Sequence, residues 1–331
     1  MKKILVPTAL ALGLVGAAQA QMTIYGLLDA SYGKSLLGDV FLREKADLHS
    51  GGDNGSSEGN STSRVGIKGS ADIGSGVKAN FKLETGGITS DGDVNPGGAF
   101  FNRQAWVGLS GSLGEVRIGR QDSVSFQTMI DYDFNGASNG VSALGYTLVG
   151  PWLPGRQSRS IQYISPSLGG VTAQVGFVPE GNRGPDAKAV FSAGVKFAAG
   201  PFSVAGSYQS KEEKGGKNFA SAAGSFDLGV AKVMLGYANG GKFSEGGTGK
   251  GVSTGFIAPL GPVNVGLLYG QNSDKSLKLK STEVFINAEV FKGTYAYAEA
   301  ANWKTSLAVN PLDPAGKKKG TGYAVGLIYT F

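Results

Sequence analysis

Six basic residues fall on alternate positions beside apolar ones. Arg64 and Lys68 oppose Val65 and Ile67, Lys78 and Lys82 oppose Phe81, and Arg117 lies between Val116 and Ile118. Arg156 shares parity with Ser158, Ser160 and Gln162, while Ile161 and Tyr163 take the other face. Acids accompany them: Glu84 and Glu115 from the same alternating runs, Asp131 and Asp133 from a long loop. Charges gathered at a narrow, water-filled opening sort solutes by sign, because the field there is weakly screened. Nucleophilic and metal chemistry have little to work with. There is no cysteine and one histidine, His49, in a Gly/Ser/Asp-rich loop with no nucleophile motif beside it. No paired acids stand out, so neither an enzymatic activity nor a cofactor is expected.

Positioning such charges needs extended segments, and period-2 runs of about ten residues recur along the chain. Val77, Ala79, Phe81 and Leu83 oppose Lys78, Asn80, Lys82 and Glu84; Val284, Ile286, Ala288 and Val290 oppose Glu283, Asn287 and Glu289. Runs are expected near 22–32, 62–72, 76–86, 101–110, 114–120, 158–165, 170–178, 188–198, 202–210, 218–227, 230–238, 250–258, 262–270, 281–291, 293–303 and 322–331. Short turns such as Lys292-Gly293 join one set of pairs, and longer polar segments join the alternate set. That alternation of connection lengths predicts an all-β fold, a 16-stranded antiparallel transmembrane barrel of up-and-down type in an outer membrane. A soluble secreted β protein also alternates. However, a shared core limits its size, and it does not call for lysines and glutamates facing a lumen.

The longest connection, 121–157, shows neither sustained alternation nor a sustained helical period. It holds Phe126, Tyr132, Phe134, Tyr146 and Trp152, so it is expected to pack inside the barrel rather than stay disordered. Residues 1–20 read as an export signal: Lys2 and Lys3, an apolar run Ile4 to Val15, then Ala18-Gln19-Ala20 before the cut. The barrel domain is then 21–331. The net charge of +6, interleaved with acids, argues against nucleic acid as a partner.

Ile24-Tyr25-Gly26-Leu27-Leu28-Asp29, Ser63-Arg64-Val65-Gly66-Ile67-Lys68-Gly69, Asn102-Arg103-Gln104-Ala105-Trp106-Val107-Gly108-Leu109, Gly119-Arg120-Gln121 and Ser160-Ile161-Gln162-Tyr163-Ile164-Ser165-Pro166 occur in that order. Together with a final phenylalanine, they resemble the Gram-negative general porins of betaproteobacterial type, over the whole of 21–331. The resemblance implies a homotrimer, passive diffusion of small hydrophilic solutes and ions, and a third loop folded inward to narrow the pore. It implies outer-membrane lipid, lipopolysaccharide and the barrel-assembly machinery as partners. It also places Arg64, Arg103 and Arg156 in a lumen-side cluster at the constriction; the acids expected to oppose them are Glu84 and Glu115 from the wall and Asp131 and Asp133 from the loop. Lys68, Lys78, Lys82, Glu115 and Arg117 read as pore wall, the lysines equally well as a merely solvated face. Arg103 is awkward, because its parity partners Ala105, Val107 and Leu109 are apolar; it joins the cluster if Trp106 faces a subunit contact. Tyr329 and Phe331 share the large-residue face of the last run and resemble the assembly signal of outer-membrane proteins.

The excess of basic residues predicts an anion preference. A solute-specific channel and a surface adhesin or receptor barrel remain alternatives. Asp91-Gly92-Asp93-Val94-Asn95 begins like a calcium loop, but Pro96 stands where glycine is needed, so it reads as an exposed turn. Lys317-Lys318-Lys319 reads as a solvated charge run.

Overall fold

The computed structural model describes residues 21–35, 45–142, 155–181, 183–240, 249–272, 278–305 and 318–331. The expected signal, Tyr146, Trp152 and Lys317 lie outside them. Within them the alternating runs become β1 (Gln21–Lys34), β3 (Arg64–Gly74), β4 (Val77–Gly86), β5 (Gln104–Gly111), β6 (Gly114–Asp122), β7 (Arg156–Ile164), β8 (Val171–Val178) and β9 (Val190–Ala199). The second half follows as β10 (Phe202–Gln209), β11 (Phe219–Asp227), β12 (Lys232–Gly240), β13 (Gly249–Leu260), β14 (Val263–Asn272), β15 (Leu279–Phe291), β16 (Thr294–Thr305) and β17 (Lys319–Thr330). Each of these sixteen pairs antiparallel with its neighbours, and β1 closes the ring on β17 from Leu27↔Thr330 to Lys34↔Tyr323. A short strand that the sequence does not announce, β2 (Asp47–Ser50), pairs with the loop-side half of β1, leaving the other half to β3.

Parity decides which side chains meet which solvent. Val107, Leu109, Leu235 and Val325 all point outward and are more than half exposed. In water so continuous an apolar surface would be an association site. On a closed barrel it is the band that hydrocarbon solvates. The strands need no free edge, because closure pairs every one of them. Turns on one rim are tight: Gly74, Ser75 and Gly76 have φ of 99°, 55° and 73°, left-handed values that glycine tolerates at two of the three positions.

At the seam, the amide of Gly26 donates to the Phe331 carbonyl (2.9 Å), and that of Phe331 donates back to Gly26 (3.2 Å). The Phe331 ring stacks on Tyr329, with centroids 6.0 Å apart, and lies over Gly26, where a Cβ would come within 2.3 Å of it. Only a residue without a side chain leaves room for that ring.

The segment 121–157 does contain a helix, contrary to the sequence expectation. Val124–Met129 is helical and continues into a 3-10 turn, Ile130–Tyr132, with Ser123 as N-cap accepting from the Phe126 amide at 3.1 Å. Six residues are too few to hold a helix in water; the wall holds it. Gly176 and Gly194 face inward, and a Cβ at Gly194 would come within 2.2 Å of Thr128 Oγ1. At the end of the helix and just past it, Met129 and Tyr132 bury against Ala205, Ala223, Met234, Leu268 and Phe285, which point into the barrel. Burying two such large side chains contributes roughly 1.5–3 kcal/mol each. The interior therefore has two faces: an apolar one on β10–β15 covered by the loop, and a charged one on β3–β7.

Candidate functional site

On the charged face Glu84 is the hub. The Tyr25 hydroxyl donates to its Oε2 (2.7 Å), Arg103 Nε donates to its Oε1 (2.7 Å), and Lys82 Nζ lies 3.4 Å away. Arg64 donates to the Thr62 carbonyl (3.0 Å) and lies within electrostatic reach of Arg103, Glu84 and Asp122. Arg156 faces Asp122 at 3.2 Å and lies within reach of Arg103, Glu84 and Arg120. Arg120 is pinned by the Asn102 carbonyl (2.5 Å) and Ser158 Oγ (2.7 Å). Arg120 is in register with Ala105 on the outward face. Three guanidinium groups, of Arg64, Arg103 and Arg156, thus share one patch of wall with Glu84 and Asp122, leaving a local excess of positive charge.

Toward the short-turn rim the basic face continues. Lys68 and Lys82 each stand 5.3 Å above the Tyr25 ring. Arg117 lies 4.5 Å over Trp106 and pairs with Glu115 at 2.6 Å. Lys78 is further down, in register with Asp72 and Ser110, and stands apart from the arginines.

Several sequence expectations need correction. Trp106 points into the lumen, its indole N–H donating to Gln104 Oε1 (2.9 Å), and is not an outward contact. Arg103 nevertheless reaches the cluster. It precedes β5, so strand parity does not bind it, and its side chain crosses over inward-facing Gly86. Glu84 does not oppose the arginines but sits among them. Glu115 is likewise paired on the same wall, near the turns. Parity also fails to run from Ser160 back to Arg156, because the register shifts between Gly119 and Gln121 and Arg159 takes φ 58°.

The loop acids differ from expectation as well. Asp131 is ion-paired with Lys196 of β9. Asp133 is buried within the loop, accepting from Ser142 Oγ (2.8 Å) and the Asn135 amide (3.1 Å), and burial pushes its carboxyl up. Neither stands as an unpaired negative charge facing the arginines.

The far end of the described loop is latched to the opposite wall. Asn135 Nδ2 donates to Glu283 Oε1 (2.6 Å) and Glu299 Oε2 (2.8 Å), and Ser138 Oγ donates to Glu299 Oε1 (2.7 Å). Asn60, from the first long connection, adds its Nδ2 to Glu299 (2.9 Å), and its amide donates to Asp29 (2.8 Å), where Tyr297 also binds (2.8 Å). The described part of the loop therefore leaves β6, runs along β8–β12 and reaches β15, β16 and the first connection. What such an arrangement does chemically is narrow a water-filled tube while keeping one bank of it positive.

A model of the Gram-negative porins matches residues 8–310. The chain belongs to the Gram-negative porin family. As a porin it is 31% identical to outer membrane porin protein 32 of Delftia acidovorans over 366 aligned positions, covering 100% of both chains. It is 31% identical to an outer membrane porin protein of Bordetella pertussis, over 72% of this chain and 69% of that one. Among solved structures, the anion-selective porin from Comamonas acidovorans superposes with a TM-score of 0.79 at 25% identity, covering 95% of this chain and 100% of that one. The porin is a passive channel of the Gram-negative outer membrane.

Sequence reasoning missed Asp122, Lys196 and the Asn60–Asn135–Glu283–Glu299 latch. One signal was available for the latch. Glu283 and Glu299 fall on the inward face of strands whose other inward residues include Phe285 and Trp303, a setting in which a carboxylate needs partners.

Proposed function

We propose that this porin prefers anions and that Arg64, Arg103 and Arg156 set the preference at its constriction. The observation that supports it is the imbalance on one bank: three arginines and Lys82 held close together against Glu84 and Asp122, with Asp131 neutralised by Lys196. A similar porin carries anion selectivity in its description. Reversal potentials across a planar bilayer under a salt gradient test it. The expected sign is that of an anion-preferring pore, and a cation-preferring potential overturns the proposal.

The same reading includes a homotrimer, small hydrophilic solutes and ions as cargo, and outer-membrane lipid and lipopolysaccharide around the band. It takes residues 1–20 as a signal cleaved after Ala20. It gives Tyr329 and Phe331 the role of a signal to the barrel-assembly machinery. Phe331→Asp should then reduce the yield of folded, heat-resistant barrel on unheated gels, by severalfold, while channels that do form conduct normally. Normal yield would remove Phe331 from that role.

A further inference from the structure

On the short-turn side of the arginines a hollow of about 530 Å³ opens in the lumen wall, lined by Lys68, Lys82 and Arg117, by one carboxylate, Glu115, and by Asn80 and Ser110. Its cations are held in an unusual way. Lys68 has no carboxylate within ion-pair distance among the described residues, and its ammonium rests over the Tyr25 ring beside that of Lys82. Arg117 spends one nitrogen on Glu115 and stacks on Trp106, while its buried Nε makes no hydrogen bond. Aromatic faces position a cation without cancelling its charge. Lys82 and Arg117 are ion-paired with Glu84 and Glu115, so it is chiefly the Lys68 ammonium that the hollow presents to the lumen uncancelled, with Lys82 beside it.

Beside them stand neutral hydrogen-bonding groups. Asn80 Nδ2 donates to Ser110 Oγ at 2.8 Å, which aligns the two, and Ser70 lies on the same wall. Cations next to hydroxyl and amide groups match a ligand that carries a carboxylate and hydroxyls on one small frame. The space is far more than a bare halide fills.

We infer that this hollow is a second station for anions past the constriction, selective for hydroxylated organic anions of sugar size. It rests on the anion-preferring reading above and adds a binding site to it. An anion leaving the arginines meets Lys68 and Lys82 next, so the two sites act in series, each favourable enough to enter and weak enough to leave.

The probe is gluconate, added at constant potassium chloride while chloride current is recorded in planar bilayers, with sorbitol as its neutral counterpart. Gluconate is expected to reduce the current saturably and sorbitol to do so far less. Lys68→Gln combined with Lys82→Gln should raise the half-blocking concentration about tenfold, the loss of roughly one charge-assisted hydrogen bond. Lys292→Gln, on a short turn outside the lumen, controls for net charge and should leave that concentration unchanged. Non-saturating block, equal block by sorbitol, or an unchanged half-blocking concentration in the double lysine variant overturns the station. The wild-type reversal potential, read in the same bilayers, separates the two claims. A cation-preferring pore overturns the anion preference, and an anion-preferring pore without saturable block overturns only the station.

Discussion

Replacing Arg64 and Arg156 together by alanine should lower the anion preference severalfold and widen the pore slightly. A unit charge ~10 Å from a passing ion is worth ~0.4 kcal/mol even at the dielectric of bulk water. Two such charges change the partition of a monovalent anion about fourfold, and the effect grows where the wall excludes water. Arg103 would remain, because its partner is Glu84 rather than either altered residue, so the preference should weaken without reversing. Glu84→Gln should act in the opposite direction, since it leaves Arg103 and Lys82 without their shared carboxylate. Both shifts should fade at high salt, as the screening length falls from ~10 Å at 0.1 M to ~3 Å at 1 M. Reversal potentials at both salt concentrations check this. If the double alanine variant keeps the wild-type potential, those two arginines are not the filter.

The second large effect is expected at Asn135. Its side chain bridges two carboxylates from adjacent strands, Glu283 and Glu299, both buried. Asn135→Ala removes two hydrogen bonds to buried carboxyl groups, each worth on the order of 1 kcal/mol. Glu299 keeps Ser138 and Asn60 as donors, so the loss is confined to the contacts of Asn135. The barrel itself keeps its ladder of strand pairs, so the loss should fall on the docked loop. The expected result is a normal yield of folded barrel with increased open-channel current noise and faster protease cleavage within 121–157. Asn135→Asp should be worse than alanine, because it adds a third carboxylate to the cluster. A quiet channel and an unchanged cleavage rate in both variants would show that the loop is held elsewhere, by the Met129–Tyr132 packing.

The wall was readable from the sequence because a strand has a strict period of two, so Val107 and Leu109 had to face away from Trp106 and Gly108. Connection lengths gave the strand count and the rims. What escaped was whatever left that period. The helix Val124–Met129 has too few residues to show a pattern and takes its stability from inward glycines on β8 and β9. Arg103 lies just outside a strand, so its direction is set by Glu84 and by the space over Gly86. Asp131 and Asp133 sit in a loop, where no parity rule assigns a partner. The latch joins Asn135 to residues 148 and 164 positions away, and only the closed ring brings them together.

The apolar half of the interior has a consequence for how such a channel can vary. Met234, Leu268 and Phe285 face the lumen and are kept from water by Met129, Tyr132 and Phe134 of the loop. Shortening the loop would therefore not produce a wider pipe. It would expose a hydrophobic stripe along one bank, where water withdraws from a confined apolar surface and conduction falters. Bore and wall are thus tied together in this protein. A larger opening requires polar replacements on β10–β15 in step with the loss of the loop, whereas the charges on β3–β7 can be exchanged one at a time without touching the seal.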